Sequence, residues 1–497
     1  MKNKSQKSKS IEIWSKLLNE ERRKPSGAQK TESRIKKETR TEIERDYDRI
    51  LFSTPVRRLA DKTQVFPLDK NDSVRNRLTH SHEVSNIARS IGINLAFNCK
   101  FAKGVENYQR NIPALLAAAG LVHDLGNPPF GHQGEAAIQS WFKKNRSFVL
   151  DIECKCKDSP ILNEQQKQDF LRFEGNAQAF RLVTRLQLIN DSYGLDLTYA
   201  TLAAMMKYPT HSHDTCKNHV SKKKHGFFAS EEYIVKDVHE KVGLGFGRRH
   251  AFAYLMEACD DIAYAVIDAE DSVKKGLASF LDLMNYLSDP KDELVKHTIE
   301  QSREKYEKYR KEKLSPAELN DISMQRFRVF AIGQMIQSVT KVFNDKKSEI
   351  LEGSLGSSLL ENSSACGLCN KLKEFSLSHA YRHRSVLEVE LKGFNVINEL
   401  MNFFWAAIVD RKERNDLGSS RNHPFTRYVY QRISENYRRV FENPTGEDKA
   451  LPIRYRECLL LTDMISGMTD SFAIGLHEEL IRIKGEFDSA CFLNIKK

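Results

Sequence analysis

Residues 112–135 read "IPALLAAAGLVHDLGNPPFGHQGE". The Leu- and Ala-rich run up to Val122 lacks strand alternation and has the look of a buried helix, too short to span a bilayer. The last fifteen residues, from Leu121, hold two His, two acids, three Gly and adjacent prolines. Gly126, Pro128 and Pro129 cannot comfortably extend a helix, so "GNPP" must end it just beyond His123 and Asp124. At a helix end the two neighbouring side chains can lean toward one point. Imidazole with carboxylate suits a borderline to hard divalent ion. Two ligands seldom hold a metal, and a lone His-Asp pair is ordinary helix-end polarity, so the reading needs partners.

Two further segments supply candidates. In "RNRLTHSHEV" His80 opens a helix, while His82, two residues on, must point elsewhere and is read as structural. In "MEACDDIAYAVID" Asp260, Tyr264 and Asp268 recur every four residues and share one helix face. Acids set among Ala, Ile, Val and Cys are costly to bury unpaired, and either a metal or a salt bridge to Arg would relieve that cost.

Elsewhere apolar residues also recur at helical spacing, as with Ile43, Tyr47, Ile50 and Leu51, and then Val84, Ile87, Ile91 and Leu95. Helices are predicted over 112–125, 172–206, 250–273, 315–343, 382–409 and 453–477, with Gly, Pro, Asn and Ser clusters between them. The fold class is therefore all-α, with few short strands. The stretches 151–168, 209–226 and 353–370 read as surface loops. The charged stretch 291–318 reads as an exposed helix dividing residues 41–290, which carry the candidate site, from a helical region over 291–497.

The chain of 497 residues has a net charge of +11, of which residues 1–40 contribute +8, from 13 basic and 5 acidic side chains. Those residues read as a basic arm, whose solvated form is commoner than a polyanion-binding one. No apolar stretch of signal-peptide type follows the first Met, and the nine Cys are scattered and odd in number, so a reducing cytoplasm is the expected location. The "CKC" at Cys154–Cys156 and "CGLC" at Cys366–Cys369 lack the paired spacing of a structural zinc module.

His, then His-Asp, then Asp, in that order on helices, resembles the HD superfamily of metal-dependent phosphohydrolases. "RLTHSHEV", "HDLGNPPFGHQGE", "FEGNAQAFRLV", "EACDDIAYAVIDAED" and "LLTDMISGMTDSFA", in order from about residue 28 to 480, resemble more closely the long bacterial deoxyguanosine triphosphate triphosphohydrolases (dGTPases). This resemblance implies an HD-domain helical core with a C-terminal helical extension contributing to base recognition and oligomer contacts. It implies His80, His123, Asp124 and Asp260 as ligands of a divalent metal, Mn or Mg in the first place and Co, Fe or Ni as alternatives. Asp261 would orient the ligands from behind, and the ion would polarise a phosphoryl oxygen, activate water, or both. His132 and Glu135, three residues apart, would move protons.

By the same resemblance Asn176, Lys207 and Lys224 bind phosphates, and Gln64, Val65, Tyr264 and Asp268 surround the sugar, Tyr264 leaving no room for a 2′ hydroxyl. Glu390 would accept from the guanine N1 and N2 edge, and Arg427 and Arg414 would reach O6 or N7. The reaction implied is hydrolysis of dGTP to deoxyguanosine and inorganic triphosphate. Broader deoxynucleotide hydrolysis, another HD phosphohydrolase activity and a non-catalytic nucleic-acid-binding regulator are the alternatives. "GNPPFGHQGE" argues against the second of these and the full ligand set against the third. Several family members form hexamers and respond to single-stranded DNA or deoxynucleotides, which implies a homo-oligomer and such activators here, with no membrane partner.

Overall fold

A computed structural model describes residues 2–25, 38–66, 74–151, 160–187, 191–288 and 291–486, so the Cys154–Cys156 pair lies outside the described residues. Among these the fold is all-helical. The short strands expected reduce to isolated bridges, such as Thr63 with Asn76 and Arg411 with Arg421.

The chain opens with α1 (Lys2–Leu17) and α2 (Glu42–Leu51), followed by α3 (Arg77–Ile93), α4 (Tyr108–Val122) and α5 (Gly131–Lys144). Local chemistry sets several starts. Thr41 accepts from Glu44 N–H while Glu44 answers the Thr41 N–H, and Asn76 and Thr79 make the same reciprocal cap on α3. Trp14, Leu17 and Leu18 are buried, so the segment read as a basic arm contributes three core side chains from the end of α1 onward. Then come α6 (Gly175–Arg181), α7 (Tyr199–Met205), the long α8 (Ala251–Lys274), α9 (Glu293–Arg310) and α10 (Pro316–Asp345). Ser315 caps α10 by accepting from Glu318 N–H, and Pro316 at its first position loses no hydrogen bond there. The series closes with α11 (Cys366–Ser376), α12 (Arg384–Val409), α13 (Pro424–Gln431), α14 (Ile453–Ser466) and α15 (Asp470–Glu486).

Two predicted helices are divided. The 172–206 pattern breaks into α6, with a π-helical turn after it, and α7. Gly194, in "DSYGLD", has φ +69° and fits so closely on Val183 that an added Cβ would lie 2.1 Å from its carbonyl oxygen. The 453–477 pattern bends by 113° between α14 and α15, where Gly467 interrupts it. The stretch 353–370 is less of a surface loop than expected, because Leu355, Leu359, Leu360, Ala365 and Leu368 are buried.

Two large hydrophobic cores, beside a small cluster around Val65 and Phe66, hold the described residues together. The first joins α5, the C-terminal end of α4 and residues around 170–238 to α12, α13, α14 and α15. The second joins α1, α3, most of α4 and α8 to α9, α10 and α11. Both cross residue 290, and α4 belongs to both. Exposed α9 keeps a narrow buried stripe of Val295, Thr298, Ile299 and Ser302. No single described helix is long and apolar enough to cross a membrane.

Candidate metal centre and the pocket around it

Helices α3, α4 and α8 converge where their polar residues face one another. One ligand atom each from His80, His123 and Asp260 lies within 4.8 Å of the others. His80 Nε2 is 3.2 Å and His123 Nε2 3.5 Å from Asp260 Oδ1, and the two imidazole centroids are 5.5 Å apart. Asp124 joins from the end of α4, with Oδ1 3.6 Å from His123 Nε2. Its Oδ2 accepts from Arg77 Nη1 at 2.6 Å, three residues before His80 on α3, and its Oδ1 accepts from Asn127 Nδ2. His82 is exposed and points away.

The donor set fits a divalent ion. His123 Nδ1–H donates to the Gly120 carbonyl at 2.7 Å, which aims Nε2 at the carboxylates, and that buried Nε2 has no hydrogen-bond partner among the described residues. Burial disfavours a protonated His123, but Asp124 and Asp260 outweigh it and push its pKa up to about 9. Burial likewise opposes charge on Asp260, yet His123 and Lys207 hold it well below the usual carboxylate range. Carboxylates that retain their charge despite burial are a cation's natural partners. Asp261, beside Asp260, accepts instead from Lys373 of α11 at 2.7 Å.

The turn between α4 and α5 carries the second group. Phe130 and Gly131 are both left-handed, at φ +60° and +56°, a conformation that costs Phe strain and Gly almost none. This turn starts α5 so that His132 Nδ1 lies 3.1 Å from Glu135 Oε2. The His132 side chain is 78% exposed while that of Glu135 is 8% exposed. The other Glu135 oxygen accepts from Gly175 N–H at 2.8 Å, which ties α5 to the start of α6. The fit there is tight: a Cβ on Gly175 would lie 2.3 Å from Asn127 Oδ1 and 2.9 Å from Glu135 Oε1.

Cations and amides gather at the same place. Lys207 Nζ is 3.3 Å from Asp260 Oδ2. Lys224 Nζ lies 2.8 Å from Glu174 Oε2, and Asn176 Nδ2 donates to Glu174 Oε1 at 2.7 Å. Burial raises the Glu174 pKa and neighbouring Glu135 raises it further, while Lys224 opposes both.

On the other side Tyr264 stacks on Tyr381, ring centroids 6.2 Å apart, and the Tyr381 hydroxyl donates to buried Asp268. Val65 packs with Phe66, Ala380 and Val386, and Gln64 Oε1 is buried without a hydrogen-bond partner among the described residues. Glu390 on α12 reaches the site through Gln133, whose Nε2 is 3.4 Å from its Oε2. Burial raises the Glu390 pKa, against the pull of His132.

Arg427 and Arg414 are not brought to this place. Arg414 lies five residues past Val409, the far end of α12, which the helical rise puts about 28 Å from Glu390. Arg427 is exposed on α13, which docks through Phe425 on Phe403 in the C-terminal half of α12. Sequence reasoning missed Arg77, Glu174 and Tyr381. Arg77 had a signal in its spacing of three from His80, and Glu174 in its place beside Asn176, whereas Tyr381 lies 113 residues from Asp268 with nothing local to mark it.

This arrangement defines an HD-type phosphohydrolase, and the HD domain family matches residues 77–172. A deoxyguanosinetriphosphate triphosphohydrolase-like protein of Listeria innocua is 36% identical over 479 residues, 94% of this chain and 99% of its own. A probable deoxyguanosinetriphosphate triphosphohydrolase of Pseudomonas aeruginosa is 33% identical over 462 residues, 87% of this chain and 91% of its own. A deoxyguanosinetriphosphate triphosphohydrolase of Yersinia enterocolitica is 30% identical over 486 residues, 88% of this chain and 93% of its own. The chain belongs to this dGTPase and dGTPase-like family.

Proposed function

We propose that the protein hydrolyses dGTP to deoxyguanosine and inorganic triphosphate, with water attacking the α-phosphorus. The observation that carries this reading is the His132–Glu135 pair, held by Gly175 N–H on the same short turn that follows His123 and Asp124. A divalent ion held by His80, His123, Asp124 and Asp260, Mn or Mg in the first place, would supply Lewis-acid polarisation of the phosphate and neutralise part of its charge.

The chain's own groups do the rest. Glu135 accepts from His132 Nδ1–H and so leaves Nε2 to move a proton. The attacking water forms the new P–O bond, the bond to the sugar 5′ oxygen breaks, and the proton given up by the water ends on that oxygen. Asn176, Lys207 and Lys224 bind the triphosphate, Lys224 and Asn176 exchanging Glu174 for phosphate oxygens. Tyr264 closes the space beside C2′, Gln64 and Asp268 meet the 3′ hydroxyl, Val65 lies beside sugar and base, and Glu390 accepts from guanine. Homo-oligomer assembly, up to a hexamer, and activation by single-stranded DNA or a deoxynucleotide belong to the same proposal, with Arg427 and Arg414 contacting a base only across a subunit contact.

A second reading, broader deoxynucleotide hydrolysis, is favoured by one observation: of the three base contacts proposed, Glu390 alone stands beside the site within one chain. Incubation with Mn or Mg and each deoxynucleoside triphosphate, followed by separation of products, tests both. Deoxynucleoside plus triphosphate is expected, and diphosphate plus monophosphate would overturn the reading. The ranking of rates across the four bases separates strict from broad specificity.

A further inference from the structure

The segment "SGMTD" at 466–470, where α14 bends into α15, is bonded to the segments that lead into the metal group and into the pocket. Asp470 is 1% exposed. Its Oδ1 accepts from Phe130 N–H at 2.9 Å, and its Oδ2 accepts from Thr63 N–H at 2.9 Å and from the Thr63 hydroxyl. Phe130 is the strained left-handed residue two positions before His132, and Thr63 immediately precedes Gln64. Lys62, 4% exposed, makes the parallel connection: its Nζ donates to Asn127 O at 2.6 Å and to Ser466 O at 2.8 Å, and Asn127 in turn donates to Asp124.

A positive φ at Phe persists only where its surroundings over-determine it. Here the N–H is held by a buried carboxylate and the ring by α12, where a Cβ on Gly393 would lie 2.4 Å from the Phe130 ring. The same carboxylate fixes residue 63. One side chain, some 340 residues from Phe130 in sequence, therefore sets the spacing between the turn that aims His132 and the segment that presents Gln64.

We infer that Asp470 is a positioning residue, which through Phe130 N–H and Thr63 holds His132 and Gln64 in mutual register, with Lys62 bracing Asn127 alongside. The inference rests on the proposed roles of His132 and Gln64. A misplacement of about 1 Å costs on the order of a hundredfold in rate.

The test is Asp470→Asn in the full chain, because an amide nitrogen in either carboxylate position meets an N–H donor and cannot accept from it. Amide hydrogen exchange by mass spectrometry needs no substrate: the peptide covering 125–135 should exchange faster, while peptides from α8 and α10 keep their wild-type rates. With whichever deoxynucleotide the wild type cleaves, kcat should fall at least tenfold with KM within threefold and metal content unchanged. Ser471→Ala, which removes only an exposed bond to Asp61, should leave both readouts as in wild type. Unchanged exchange at 125–135, a kcat within twofold of wild type, or faster exchange throughout the chain would overturn the inference. If Asp470→Asn does not fold, isosteric Thr63→Val removes one of the three donors and must move the same peptide and kcat in the same direction, or the inference fails. A wild type that cleaves no deoxynucleotide sinks the functional reading, and the exchange readout then decides the positioning claim by itself.

Discussion

Replacing Glu135 by Gln changes one atom and reverses one hydrogen bond. Oε1 would go on accepting from Gly175 N–H, so the side chain would keep its place. The amide nitrogen would then face His132 Nδ1 across 3.1 Å, and a donor there forces Nδ1 to become the acceptor. The proton moves to Nε2, the nitrogen that must be free to take one. General acid–base catalysis is worth about 10²–10⁴-fold. Because the His132 side chain is 78% exposed, the ring has room to turn and recover part of the loss, which places the effect at the lower end. We expect kcat to fall about a hundred- to a thousandfold, about 3–4 kcal/mol of transition-state stabilisation. Stability should change by no more than about 1 kcal/mol, since one hydrogen bond is exchanged for another. The assay is triphosphate release under saturating nucleotide, with metal content measured on the same preparation and the thermal midpoint recorded. A kcat within threefold of wild type would refute the tautomer argument. A preparation that had lost its metal would show instead that Glu135 belongs to the ion's surroundings.

Two further outcomes follow from packing and burial. Gly393→Ala should lower stability by about 1–3 kcal/mol despite the better helix propensity of Ala, because its Cβ would come within 2.4–2.8 Å of three Phe130 ring atoms; a higher thermal midpoint would show that no close approach exists. Burial, against the help of Asp470 and with Arg77 and Arg58 adding to it, drops the Lys62 pKa to about 7. The folded group therefore loses its proton before the unfolded one, so stability should rise with pH between about 7 and 10.5, by up to ~1.4 kcal/mol per unit. Lys62→Met should flatten that slope in urea titrations across the window, and an unchanged slope would assign it to other groups.

The metal group was legible because its members are chemically unusual for where they sit. His123 and Asp124 end an apolar helix, His80 opens another, and Asp260 interrupts an apolar face, each visible within a few residues. The long helices α8, α10 and α12 were legible for the same local reason, an unbroken apolar period. What escaped depends on distance along the chain. Asp470 means nothing until Phe130 and Thr63 are beside it, Tyr381 nothing until Asp268 is, and the bend between α14 and α15 hides inside a pattern that reads as one helix. Arg427 and Arg414 show the opposite case: the family resemblance implied a guanine contact, but within one chain Arg414 follows the end of α12 and Arg427 rides on α13, which packs on the C-terminal half of α12.

The two hydrophobic cores divide the chemistry between them. His80 and Asp260 ride on α3 and α8, packed in one, and His132 and Glu135 ride on α5, packed in the other, with α4 threading both and ending in His123 and Asp124. A small sliding of one body against the other would leave each cluster's internal bonds intact and change only the gap between the ion's ligands and the proton carrier.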